Sequence, residues 1–223
     1  EAVFMNAAGE ITGSLDQRYS TVEYYFKLKK INEQLAAENL RLNQLLRENY
    51  EKPDESGKLV LDTLQIDSLR QIRKYTWLGA RVVGSNVNMQ TNFITIHRGS
   101  GQGVQPNMGV VSPMGIVGTV VNVSQNFASV MTLLHRQYKV VVKLKNSGDR
   151  GTVEWDGISP RYVTLKDIPK SARVEKGDSV VTSPTSSLFP GDIMVGTVVE
   201  IADEKSSNFY TLKLKFLSRN FPV

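Results

Sequence analysis

The chain has 223 residues, 40% of them hydrophobic, and a net charge of +5. This length and apolar content allow one large domain or two small domains with an added helix, and they exclude an intrinsically disordered chain. The sequence contains no cysteine, which excludes disulfide frameworks, thiolate metal sites and cysteine nucleophiles.

Residues 1–20 are small and polar without a clear period, and we interpret them as a membrane-proximal lead-in. Residues 21–52 are predicted to form one coiled-coil helix that ends before Pro53. Its apolar stripe has the alternating three- and four-residue spacing of a heptad seam, predicted to mediate dimerisation, and consists of Leu28, Ile31, Leu35, Leu42 and Leu45. Glu38 and Asn49 interrupt this seam, so pairing needs tethering at the helix ends.

Residues 53–76 form a predicted linker, which could continue the helix or include a short strand. From residue 80 onward, runs of Val, Ile and Thr between Gly, Pro, Asn and Ser turns predict a mainly β fold of small barrels or sandwiches. Eleven strands are predicted, at residues 80–87, 93–97, 109–112, 116–123, 129–134, 139–145, 152–155, 162–166, 179–183, 194–201 and 210–216.

One sequence pattern occurs twice in this β region. Residues 110–113 (VVSP) are followed by residues 117–121 (VGTVV), and residues 180–184 (VVTSP) are followed by residues 195–199 (VGTVV). Two matched blocks in the same order indicate a duplicated β unit. By itself this repeat favours two units in tandem.

The basic excess lies in the β half, but it does not favour nucleic acid. Lys143, Lys145, Lys213 and Lys215 alternate with apolar residues, which is typical of the solvated face of a sheet rather than of a binding site with stacking aromatics.

No catalytic residue, cofactor site or metal site is predicted. His97 and His135 each follow a β run beside an arginine, where a surface histidine is a better interpretation than a general base. The glycines at 99, 101 and 103 precede no helix that could receive a phosphate, and the aspartates are isolated, without metal-ligand spacing.

Two apolar pairs could form a partner surface or plug a barrel end, namely Leu188, Phe189, Phe209 and Tyr210. A sheet edge that binds a partner by strand addition is a further alternative.

The sequence resembles the rod shape-determining MreC family. The helix carries the similar segments Leu35–Asn39 and Leu45-Leu46. The β region matches in order at residues 92–96, 99–100, 103–104, 109–113, 115–118, 150–151, 177–178, 181–183 and 189–191. At Pro184–Ser187 the chain departs from the glycines that the family usually has.

The resemblance implies two six-stranded β-barrel domains in the periplasm, one inserted in the other. The corresponding domain boundaries are residues 77–127 plus 196–223 for the first barrel and residues 128–195 for the second. It also implies a non-catalytic scaffold of the cell-elongation machinery that synthesises peptidoglycan. The implied partners are a second copy of the chain, a penicillin-binding transpeptidase, and MreD with other membrane proteins of that machinery. A single-pass anchor before residue 1 would hold the scaffold in the bacterial inner membrane.

Two other functions fit parts of the pattern. A periplasmic membrane-fusion adaptor also joins a coiled coil to β domains, but it needs an antiparallel helical hairpin, and Pro53 and Gly57 interrupt a second arm. The family's barrels are implied to share the topology of trypsin-like proteases, and a protease would require His97 or His135 within hydrogen-bond reach of a serine and an aspartate. The segment Asn146–Gly151 is a more ordinary tight turn than a nucleophile loop.

Overall fold

The computed structural model describes residues 24, 26–46, 50–51, 72–73, 75–86, 89–186, 188–203 and 207–216. The chain divides into two compact units, Glu1–Gly79 and Ala80–Val223. The predicted lead-in 1–20 and nearly all of the predicted linker 53–76 lie outside the described residues.

The first unit contains helix α1, described at residue 24 and over residues 26–44. The helix ends in a tightened turn, in which the N–H groups of Leu45 and Leu46 donate to the carbonyls three residues earlier, at 3.1 and 3.3 Å. The Asn43 side chain donates to the carbonyl of Asn39 at 2.9 Å, which satisfies one of the acceptors left at a helix end.

The prediction that the helix continues to residue 52 is wrong. Strand β1 (Tyr50–Glu51) pairs antiparallel with strand β2 (Ile72–Arg73), with Tyr50 opposite Arg73. The proline at 53 therefore follows a strand, and the helix ends earlier, at the tightened turn.

A five-stranded antiparallel sheet opens the second unit. Its strands are β3 (Arg81–Ser85), β4 (Thr91–His97), β5 (Gly109–Ser112), β6 (Gly115–Val123) and β7 (Ala128–His135). The spatial order is β3-β4-β7-β6-β5. Alternate residues of β4 are buried, so Asn92, Ile94 and Ile96 face the core.

A closed barrel follows in sequence. Its strands are β8 (Lys139–Leu144), β9 (Arg150–Glu154), β10 (Tyr162–Pro169), β11 (Ser179–Thr182), β12 (Met194–Ala202) and β13 (Phe209–Lys215). They close in the order β10-β13-β12-β11-β8-β9. The core is continuous between sheet and barrel, because Phe189 of the β11–β12 loop packs against Gly109 of β5.

The mainly β class and all eleven predicted strands are confirmed, but only one of the two β units is a closed six-stranded barrel. The other is an open sheet, since among the described residues no strand joins its edges β3 and β5.

The predicted assignment of strands to the two β units also differs from the assignment that the structure shows. Ala128–His135 pairs within the five-stranded sheet, and Phe209–Lys215 pairs within the closed barrel. The strands therefore divide between the sheet and the barrel in chain order, β3 to β7 and β8 to β13, as the sequence repeat alone favoured.

The repeated pattern forms the same structure twice. Val110 lies opposite Gly118 in the β5–β6 pair, and Val180 lies opposite Gly196 in the β11–β12 pair. The register then shifts at the next residue in both pairs.

The predicted lysine alternation is also confirmed: Lys143, Lys145, Lys213 and Lys215 flank buried residues of β8 and β13 and lie on the outside of the barrel.

Candidate functional site

The five predicted seam residues form an exposed apolar stripe on α1. Their relative exposures are 38% for Leu28, 41% for Ile31, 56% for Leu35, 48% for Leu42 and 64% for Leu45. Burial of such side chains yields about 25 cal/mol per Å² of apolar surface. The stripe therefore favours a partner that covers it.

Residues Trp77 and Gly79 contact the opposite face of the same helix near its end, at Gln44 and Leu40. Gln44 Nε2 donates to the carbonyl of Trp77 at 3.3 Å, and a Cβ built on Gly79 would lie 3.2 Å from Leu40 Cδ2. A helix turns by about 100° per residue, so Leu40 lies about 180° around the axis from Ile31. The returning chain thus leaves the seam open. Sequence reasoning missed this contact, although Leu40 is an apolar residue that lies outside the heptad stripe.

A charged pair interrupts the seam between Leu35 and Leu42. Arg41 donates from Nε and Nη2 to the two carboxylate oxygens of Glu38, at 2.9 and 2.7 Å. This hydrogen bonding, together with the positive charge of Arg41, lowers the pKa of Glu38 below its usual value. The carboxylate is therefore ionised at neutral pH, and a charge within an apolar seam restricts the registers in which two helices can pair.

The four residues predicted as a partner surface have different environments. Phe189 is fully buried and Leu188 is half-buried, whereas Phe209 is 47% exposed and Tyr210 is half-buried. Phe189 therefore belongs to the core and not to a partner surface, which corrects the prediction for that residue. The other three lie at least partly at the surface of the barrel.

The two histidines lie apart from a catalytic arrangement. His135 is 2% exposed, so its interpretation as a surface histidine is wrong, and its Nδ1 accepts a hydrogen bond from the N–H of Gln137 at 3.1 Å. The His97 ring lies 5.0 Å from the ring of Phe127. Among the described residues, neither histidine hydrogen-bonds to a serine or a carboxylate, so the requirement of the protease hypothesis is not met there.

The described residues contain no group of three His, Asp or Glu side chains that could hold a metal ion. No helix in this part of the chain is long and apolar enough to span a membrane.

Comparison with known proteins identifies the family of this chain. The family model for the barrel core of the rod shape-determining protein MreC matches residues 82–220. The chain belongs to the MreC family. It is similar to the cell shape-determining protein MreC of Listeria monocytogenes, with 27% identity over 93% of this chain and 68% of that protein. The corresponding protein of Haemophilus influenzae is 23% identical over 93% of this chain and 57% of its own length. The chain thus spans only part of these relatives.

Known structures of the family have the same fold. MreC from Pseudomonas aeruginosa superposes with a TM-score of 0.56 and 25% identity, over 61% of this chain and 88% of that one. MreC in a complex between penicillin-binding protein PBP2 and MreC from Helicobacter pylori has a TM-score of 0.51 and 19% identity, over 62% of this chain and 87% of that one. At 19% identity this likeness supports the fold alone.

Proposed function

We propose that this chain is a non-catalytic periplasmic scaffold of the bacterial cell-elongation machinery. The match of residues 82–220 to a family of shape-determining proteins carries the proposal. Such a scaffold needs a means of self-association and a surface for wall-synthesis proteins. An N-terminal anchor in the inner membrane, implied by the family resemblance, would hold it beside the sites of peptidoglycan synthesis.

Self-association is assigned to the helix. The seam is exposed along its described length, and the contacts of Trp77 and Gly79 lie on the other face of the helix, at Gln44 and Leu40. Pairing with a second copy would cover the leucines, and the Glu38–Arg41 pair would restrict the register. The antiparallel pair β1–β2 follows the helix where a membrane-fusion adaptor would need a second helical arm, so the adaptor hypothesis gains no support.

The β units are assigned to partner binding. A relative from Helicobacter pylori has been captured in a complex with PBP2, which supports a penicillin-binding transpeptidase as a partner of this chain. MreD and other membrane proteins of the machinery are proposed on the family resemblance alone. Within the barrel, Leu188, Phe209 and Tyr210 are candidates for this contact because each retains surface at the barrel exterior.

The test compares the anchored full-length protein with the double variant Leu35→Asp plus Leu42→Asp. Chemical crosslinking measures self-association, and a fluorescent penicillin detects the transpeptidase in a pull-down. We expect the seam variant to lose self-association, since two carboxylates of each helix, four in each helix pair, would be buried. The β units should keep their far-UV circular dichroism.

The matched control is Ala36→Asp plus Ala37→Asp, which adds the same charges to exposed positions outside the seam. We expect this control to remain associated. A seam variant that still dimerises would refute pairing through the helix. Recovery of transporter components in place of the transpeptidase would refute the elongation scaffold.

A further inference from the structure

The five-stranded sheet lacks the charges that cover the barrel. The sequence has no Asp or Glu between Asp67 and Asp149 and no Lys between Lys74 and Lys139. Arg81 is therefore the only Lys, Arg, Asp or Glu residue in strands β3 to β7. The barrel strands of the same chain carry both signs of charge, as ordinary soluble surfaces do. The composition of the sheet surface therefore needs its own explanation.

Three larger side chains form a row on the outer face of this sheet. Arg81 of β3 lies opposite His97 of β4. Because Ile96 lies opposite Ala128, the next position places His97 beside Phe127, and their rings are 5.0 Å apart with an interplanar angle of 33°. Phe127 remains 45% exposed. With strands about 4.8 Å apart, the row spans roughly 10 Å.

The next positions on the same face carry small neutral side chains. Gly84 lies opposite Thr95, Thr95 opposite Ser129, and Ser129 opposite Asn122. Beyond them the half-buried Phe93 lies opposite Met131. The outer face thus carries a strip of small side chains, bordered on one side by the exposed row and on the other by an apolar pair.

This composition is typical of the centre of a protein interface. Interface cores are depleted of Lys, Glu and Asp and enriched in aromatic residues, Met and Arg. Aromatic and arginine side chains are also the commonest sites of large binding energy. The Arg81–His97–Phe127 row supplies both kinds of side chain on a hydrogen-bonded sheet, so little backbone conformational entropy would be lost on binding.

The charge on this face selects the partner. Among the described residues Arg81 makes no salt bridge, and the sheet offers no carboxylate to compensate its charge. A second copy of the same face would bring arginine toward arginine without an opposing acid. A partner with carboxylates would instead gain charge complementarity.

We propose that the outer face of the five-stranded sheet, centred on Arg81, His97 and Phe127, binds a protein that presents carboxylates beside an apolar side chain. This surface consists of other residues than the helix seam and the barrel candidates Leu188, Phe209 and Tyr210. It gives the scaffold a docking site of its own on the sheet.

The test places the photoreactive residue benzoylphenylalanine at position 127 of the full-length protein in its own cells. The matched control places it at Val141, which is 46% exposed on the barrel. We expect a discrete protein adduct at position 127 and not at position 141. Mass spectrometry of the adduct should locate the crosslink in a segment that contains Asp or Glu.

Two further variants test the role of the charge. We expect Arg81→Glu to reduce the rate of adduct formation by about tenfold or more, because it opposes like charges, and Arg81→Gln to reduce it less. Arg81 lies exposed on an edge strand, so both variants should keep the circular dichroism of the parent. A failure of Arg81→Glu to fold would leave Arg81→Gln as the deciding comparison.

Several outcomes would overturn the proposal. They are no adduct, equal adducts at positions 127 and 141, an adduct with a second copy or a nucleic acid, or a crosslinked segment without carboxylates. The seam variant Leu35→Asp plus Leu42→Asp separates this proposal from helix pairing. It should keep the position 127 adduct even while self-association is lost.

Discussion

The hydroxyl of Tyr138 lies 2.7 Å from Thr119 Oγ1. This hydrogen bond joins the segment that leads from the five-stranded sheet into the barrel to strand β6 of the sheet. Both residues are buried, with relative exposures of 5% for Tyr138 and 7% for Thr119. In the same segment the Tyr138 N–H donates to the carbonyl of His135 at 2.9 Å. The segment that connects the five-stranded sheet to the barrel is therefore held by both side-chain and backbone hydrogen bonds.

Tyr138→Phe is expected to lower the free energy of unfolding by about 1–3 kcal/mol, because the buried Thr119 hydroxyl loses its partner. Denaturant unfolding measures the change. Thr119→Val in the Tyr138→Phe background removes the second polar group and should recover part of the loss. Equal stability of the parent and Tyr138→Phe would show that the bond contributes nothing.

Ionisation of the same tyrosine should lower the folding stability in alkali. Burial raises the pKa of Tyr138 to about 12, partly opposed by the hydrogen bond to Thr119. Because the folded pKa lies above the ordinary value of about 10, its contribution is complete below pH 10 and is lost as the pH rises through 12. Ultraviolet titration should show one phenol ionising late. That transition should be absent from Tyr138→Phe.

The contribution of His135 to folding stability should have the opposite pH dependence and be lost in acid. Burial lowers its pKa below the ordinary value of about 6.5, so the unfolded chain binds the proton more readily. Its contribution to stability is complete above pH 6.5 and declines as the pH falls through the lowered pKa. Protonation would also break the bond that Nδ1 accepts from Gln137. Unfolding midpoints at about pH 7.5 and pH 5.5 should differ less in His135→Gln than in the parent.

The control for that experiment is His97→Gln, since His97 lies at the surface. We expect this variant to keep the acid sensitivity of the parent. If His97→Gln abolished the sensitivity and His135→Gln did not, the assignment to the buried histidine would be wrong.

The strands could be predicted from the sequence because their signal is local. Alternation of apolar and polar residues and the turn residues between runs identify a strand without knowledge of its partner. Pairing is not local. The return of β13 beside β10 joins residues about 50 positions apart, such as Tyr162 and Lys215, and nothing within either strand specifies that neighbour. The open first sheet was missed for the same reason.

The candidate sites also differ in whether they can be predicted from a local sequence pattern. A heptad repeat lies within one helix, so the exposed apolar stripe from Leu28 to Leu45 could be predicted, while its pairing with a second helix stays a prediction. The row of Arg81, His97 and Phe127 combines three segments that are distant in sequence, and each residue alone is unremarkable. The absence of acidic residues from 68 to 148 was the one sequence signal for it. The early end of α1 had no such signal, because an i to i−3 turn has no fixed composition.

Phe189 and Phe209 should respond differently to truncation. Phe189 is fully buried between sheet and barrel, whereas Phe209 is 47% exposed. Phe189→Ala is expected to cost about 3–5 kcal/mol of unfolding free energy through loss of burial and the cavity left behind. Phe209→Ala should cost less than about 1 kcal/mol. Thermal and denaturant unfolding measure both, and similar losses in the two variants would contradict the core assignment of Phe189.

Gly118 of β6 allows the backbone of β7 to approach closely. A Cβ at this position would overlap the carbonyl oxygen of Met131, which is backbone and cannot move aside as a flexible side chain would. Gly118→Ala is therefore expected to destabilise the sheet by about 3 kcal/mol or more, because β6 and β7 would have to separate.

The control is Gly84→Ala on the same sheet. A Cβ added at Gly84 would lie 3.8 Å from its nearest neighbour, Thr95 Cβ, which is an ordinary contact. Denaturant unfolding should show Gly84→Ala within about 0.5 kcal/mol of the parent. A Gly118→Ala protein as stable as Gly84→Ala would mean that the two strands tolerate a wider spacing at this point.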